Sequence, residues 1–131
     1  MAIDSNNVKW VGTQSGVVRY NGSTWQAYDL TSAGLKCPSV TSIAIDQQGT
    51  KWIGTRCGLA RFNGTQWAAY DSTSGLPGDW VTSVAVDSDN NIWVGLTPSN
   101  NIWHGNTGGG LVKITGTSWT VFNTSSSPAL P

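Results

Sequence analysis

The side chains that could do chemistry in this sequence are few: one histidine, His104, two cysteines, Cys37 and Cys57, and seven acidic residues, all aspartate. General acid–base work needs two groups with divergent pKa values, and nucleophilic catalysis needs a base held against the nucleophile. A lone histidine in a long polar loop supplies neither. Asp4, Asp46 and Asp87 recur at one position of a repeated pattern, and a residue present in every copy is most simply architectural. The chain therefore reads as a non-enzyme. A metal ion needs several ligands, and His104 has no partner at ligand spacing; Asp87 with Asp89 is the nearest to a carboxylate cluster, and calcium needs more. No metal and no cofactor is called for.

Recognition is the chemistry that remains. Trp80 and Trp103 stand outside the repeated tryptophan positions, and such rings can stack on a sugar or another flat ligand. The competing reading has them covering a channel mouth or packing at a subunit joint. Arg56 can meet a carboxylate or stay solvated, and His104 can join a ligand contact beside Trp103.

What must position these residues is a repeat. Asp4, Asp46 and Asp87 begin the same pattern, followed by Trp10, Trp52 and Trp93, with a period of about 42 residues. Then come Gly16, Gly58 and Gly110; Trp25, Trp67 and Trp119; and Tyr28, Tyr70 and Phe122. Each unit reads as four short strands, rich in β-branched and aromatic residues and bounded by polar turns. Asn21-Gly22 and Asn63-Gly64, with Thr115-Gly116 in the last copy, predict hairpins with type I′ turns. Four strands at this period are the blade of a β-propeller. The fold class is all-β, with three four-stranded antiparallel blades at about 1–39, 40–80 and 81–131. The repeated tryptophans are expected in the core or between blades, the repeated aspartates on turn amides, and Arg19, Arg61 and Lys113 along blade edges with Asp29 and Asp71 as partners.

In such a meander the connection into the first strand and the loop between the second and third strands fall on one face. That face gathers Arg56, Cys57, the linker 32–39, the segment 77–80 and a loop insertion of about a dozen residues in the third blade, long enough to be commonly functional. The insertion carries Trp103 and His104. Cys37 and Cys57 share this face, which leaves a disulfide open in an oxidising compartment, with free thiols the default for two cysteines.

The phrase W-I-G-T-x-x-G-L-x-R-F-N-G-x-x-W-x-x-Y at residues 52–70, with V-T-S-I-A-I-D before it and S-G-L-P after it, resembles the two-component regulator propeller repeat. That resemblance covers nearly the whole chain in three copies. It implies an extracytoplasmic sensory propeller, periplasmic or secreted, that reports a ligand to attached signalling domains. Three repeats and no signalling domain are a departure from that layout.

Composition narrows the partners. With seven Lys plus Arg against seven Asp the formal net charge is zero, so the chain lacks the basic footprint of a nucleic-acid or anionic-membrane binder. Residues 1–7 have neither the basic region nor the apolar core of a signal peptide. Three blades cannot close a ring, and repeated ends favour head-to-tail pairing. The expected partner is the chain itself, a homodimer giving six blades or a homotrimer giving nine, with a small molecule or glycan as ligand. Rival readings are a purely structural or engineered propeller fragment without a ligand and, less favoured, a lectin-like carbohydrate binder.

Overall fold

A computed structural model describes residues 2–35, 37–71, 80–96, 99–101, 105–107, 110–116 and 118–122. Its first sheet runs β1 (Ala2–Ile3), β2 (Lys9–Thr13), β3 (Gly16–Tyr20) and β4 (Trp25–Tyr28) as neighbours in chain order. The second repeats this with β5 (Val40–Ile45), β6 (Lys51–Thr55), β7 (Gly58–Phe62) and β8 (Trp67–Tyr70). The third is made of β9 (Val81–Val86) and β10 (Ile92–Leu96), then, after an inserted hairpin of β11 (Ser99–Asn101) and β12 (Gly105–Thr107), of β13 (Gly110–Thr115) and β14 (Ser118–Phe122). All pairings are antiparallel. Three four-stranded blades are thus observed, and the inserted segment adds a small sheet of its own.

Alternation along the middle blade builds both apolar interfaces. Ile53, Ala60 and Phe62 join Trp10, Val17 and Leu30 in a core between the first two blades. Trp52 and Leu59, from the opposite side of the same strands, join Val81, Ile92, Val94 and Ile114 in a core between the second and third. Period-2 side-chain direction is the cause. Glycine sets the approach: a Cβ on Gly54 would lie 2.5 Å from Val81 Cγ1, and one on Gly12 would lie 2.3 Å from Val40 Cγ1. The first strand of each following blade therefore lies directly against the second strand of the preceding one.

Two local expectations change, and the linker adds an element of its own. Only Gly22, Gly64 and Gly116 of the hairpin residues have positive φ, whereas a type I′ turn needs two such residues. The asparagine works through its side chain instead: Asn21 Oδ1 accepts from the backbone N–H groups of Ser23 and Thr24, and Asn63 Oδ1 does the same for Thr65 and Gln66. The linker after the first blade forms a 3₁₀ turn, Leu30–Ala33, capped by Asp29, whose carboxylate accepts from Thr31 N–H, and closed by Gly34 at φ 107°. Leu30 is fully buried there. Finally, Trp25 is 67% exposed, not packed in a core. It lies on the outward side of the first blade, stacked on Tyr20 at 4.2 Å between centroids.

Candidate functional site

The face carrying the strand-two-to-three loops gathers two of the candidate residues. Arg56 sits in the turn between β6 and β7, and Trp80 immediately before β9. Arg56 Cζ lies 5.2 Å from the centre of the Trp80 ring, a cation–π distance. Trp80 stays 38% exposed. Beside them Cys37 and Cys57 are joined in a disulfide with Cα atoms 5.8 Å apart, in place of the free thiols that a two-cysteine count makes the default. The Arg56 backbone N–H donates to Ser39 O at 3.3 Å, tying the same turn to the incoming linker. Trp103 and His104 lie outside the described residues, as do most of the segment 77–80 and the chain's last residues.

On the opposite side each repeated aspartate has a complete set of donors. Asp46 Oδ1 accepts from Gln48 and Thr50 N–H, and its Oδ2 from Trp52 Nε1 at 3.0 Å. Asp4 holds Asn6, Val8 and Trp10 in the same way. Asp87 holds Asp89, Asn91 and Trp93, with Asn91 Nδ2 as a further donor. The repeated Asp and Trp are therefore one device: the carboxylate closes the turn and pins the indole six residues on. Among the described residues no group of three His, Cys, Asp or Glu side chains could hold a metal ion.

Electrostatics follow from these bonds. Burial alone would raise Asp4, but hydrogen bonds from Val8, Trp10 and Asn6 and the nearby Lys51 outweigh it and leave the carboxyl below its ordinary value. Donation from Trp93, then from the Asn91 backbone and side chain, holds Asp87 at about 2 against an ordinary 3.8. A folded pKa below the unfolded one stabilises the fold fully above the unfolded value and loses that contribution as pH falls through the folded value. Acid unfolding between about pH 4 and pH 2 is accordingly expected to be less steep in Asp87→Asn than in the parent chain, read by circular dichroism. Identical slopes would count against this account.

Each of the three repeated cations lies against a tryptophan ring. Arg19 Cζ is 6.0 Å from the Trp10 ring centre, Arg61 Cζ 5.5 Å from Trp52, and Lys113 Nζ 5.4 Å from Trp93. Each is the direct cross-strand neighbour of its tryptophan. Lys51 adds a contact between blades, 4.7 Å from the Trp10 ring centre and 3.9 Å from Asp4 Oδ2. Asp29, offered as an arginine partner, is engaged in capping the 3₁₀ turn. Clefts of about 270 and 290 Å³ open at equivalent places in the two joints, lined by Asp46, Trp52 and Arg61 in one and by Asp4, Trp10 and Arg19 in the other.

The comparisons agree with the blade geometry. Residues 75–97 match the family described as two component regulator propeller. Among solved structures, the chain is similar to the extracellular domain assigned to the hybrid two component system BT3049 of B. thetaiotaomicron, with 24% identity, a TM-score of 0.72, and 93% of this chain and 16% of that one covered. It is also similar to the corresponding extracellular domain of BT4673 from the same organism, at 19% identity and a TM-score of 0.50, over 92% of this chain and 20% of that one. This chain thus spans 16% and 20% of the two neighbours' lengths. No curated protein matches it. At these identities the likeness to the solved structures is one of fold.

Proposed function

We propose that the chain is a non-catalytic β-propeller module of extracytoplasmic sensory type that closes its ring by self-assembly and holds a small-molecule or glycan ligand on the face of Arg56 and Trp80. Three considerations support this reading. The repeat matches a regulator propeller family, and the solved neighbours are extracellular domains of two-component systems. A disulfide belongs to oxidising surroundings. Most directly, Ile3 and Trp25 are 52% and 67% exposed on the outward face of the first blade, a cost that ring closure removes.

Native mass spectrometry of the chain tests the assembly: a dimer of six blades or a trimer of nine is expected, and a stable monomer would overturn it. For the ligand, Trp80 offers a stacking surface and Arg56 a planar donor fork suited to a carboxylate. A glycan array probed with the parent chain and with the Trp80→Ala Trp103→Ala variant should show binding that the variant loses. Absent or unchanged binding would return the chain to the purely structural reading.

A further inference from the structure

We infer that the outward faces of the first and third blades are two halves of one joint, completed head to tail by a second copy of this chain through Phe122, Asp87 and Trp93 on one side and Trp25, Tyr20 and Lys9 on the other. This rests on the self-assembly reading above and names its contacts.

The two joints inside the chain supply the template. At the first, Tyr28 of β4 lies 5.4 Å from Phe62 and 5.6 Å from Trp67 of the next blade. At the second, Tyr70 lies 5.0 Å from Trp119. So the last aromatic of one blade covers the outer-strand tryptophan of the following blade. Phe122 holds that last position in the third blade, and Trp25 is the outer-strand tryptophan of the first, with Tyr20 at the place of Phe62. Phe122 has its own blade's Trp93 behind it at 6.3 Å, as Tyr28 has Trp10 at 5.8 Å. Trp25, the most exposed large apolar side chain, is thus, among the described residues, the outer-strand tryptophan that no aromatic ring of a preceding blade covers.

Charge follows the same register. Lys51, one residue before its blade's Trp52, reaches back over Trp10 and towards Asp4. Lys9 occupies that position in the first blade, and the surface it would reach back to is Trp93 with Asp87. Turn contacts fit as well. At the second joint Asn90 Oδ1 accepts from Gln47 N–H at 2.7 Å, and Asn90 Nδ2 donates to Gln48 Oε1 at 2.6 Å. Asn7 has the same left-handed backbone as Asn90, φ 62° in both. In a second copy Asn7 would face Ser88 and Asp89, where the Asp89 carboxylate is a stronger acceptor than the Gln48 amide. Ile3, in the register of Ile45, which packs into the first joint, completes the apolar half.

Sedimentation velocity over a concentration series tests the joint, using the parent chain and two single variants, Trp25→Ala and Lys9→Glu. Circular dichroism checks that both variants keep the blade fold; both changes lie on an outward face and should leave it intact. The parent is expected to assemble, and each variant to need at least about tenfold more protein to do so, since removing a central aromatic and placing a carboxylate against Asp87 each weaken a joint by that order. A parent that assembles alongside variants that assemble equally well would overturn this joint while leaving self-assembly standing. A monomeric parent would overturn both, and the faces would then belong to blades other than a second copy.

Discussion

Trp52→Ala is expected to destabilise the chain by about 3–5 kcal/mol, the range for removing a buried indole from a core that cannot fully collapse around the gap. Trp52 is 5% exposed and sits at the centre of the joint between the second and third blades, packed with Ile92 and Ile114. Its loss acts three times. The cavity opens between two sheets whose separation is set elsewhere by the Gly54–Val81 contact, so the blades cannot simply close on it. Asp46 Oδ2 loses its indole donor, and the Arg61 guanidinium loses the ring beneath it while its Nε is already buried without a hydrogen-bond partner. In stacked repeats, stability is carried largely by neighbour interfaces. Amide exchange should therefore quicken first in β9 and β10 and later in β2 and β3. Urea unfolding gives the magnitude. A loss below about 1 kcal/mol would contradict the placement of Trp52 in the joint, because that is the scale expected of an exposed ring such as Trp25.

The contrast between Trp52 and Trp25 also shows where the sequence is legible. A period that returns Asp, Trp, Gly and a final aromatic in register leaves little freedom for the secondary structure, and the strands stand where the repeat places them. The aspartates were readable too, because a carboxylate before a tight turn has backbone amides within reach. Burial was not readable position by position. Trp25 and Trp67 share a repeat position, yet one is exposed and the other half-buried, because burial depends on whether a preceding blade covers the ring. The asparagine hairpins misled for a different reason: Asn-Gly is compatible with several turns, and side-chain capping by Asn21 and Asn63 left positive φ to the glycine alone. The cation–tryptophan pairs had a usable signal. Once the hairpin register is drawn, Trp10 falls opposite Arg19, Trp52 opposite Arg61 and Trp93 opposite Lys113. Meander parity likewise puts Arg56, Trp80, Cys37 and Cys57 on one face, and the structure brings them into two contacts there. No pattern in the sequence says which of those side chains touch; that depends on the linker path, set in part by Leu30 and Leu35 buried beneath it.

Cys37→Ser is expected to lower stability under oxidising conditions by about 3 kcal/mol, the chain-entropy value for a loop of roughly twenty residues. The bridge joins residues separated by 20 in sequence, one in the linker entering β5 and the other in the turn between β6 and β7. The corresponding turn of the first blade has Ser15 at the place of Cys57 and reaches its hydrogen bonds without a bridge, since Ser15 N–H donates to Thr13 Oγ1 just as Cys57 N–H donates to Thr55 Oγ1. The turn itself thus folds without the sulfur. What the disulfide adds is a fixed linker, and with it the position of Arg56 over Trp80 at the start of the next blade. Two measurements follow. Reductant should shift the urea midpoint of the parent chain to that of Cys37→Ser and leave the variant unmoved. The Trp80 emission should change along with it, because the cation over the ring is no longer held. A parent chain whose midpoint ignores reductant would mean that the bridge does not constrain the unfolded chain, and the disulfide would then no longer support placing the module outside the cytoplasm.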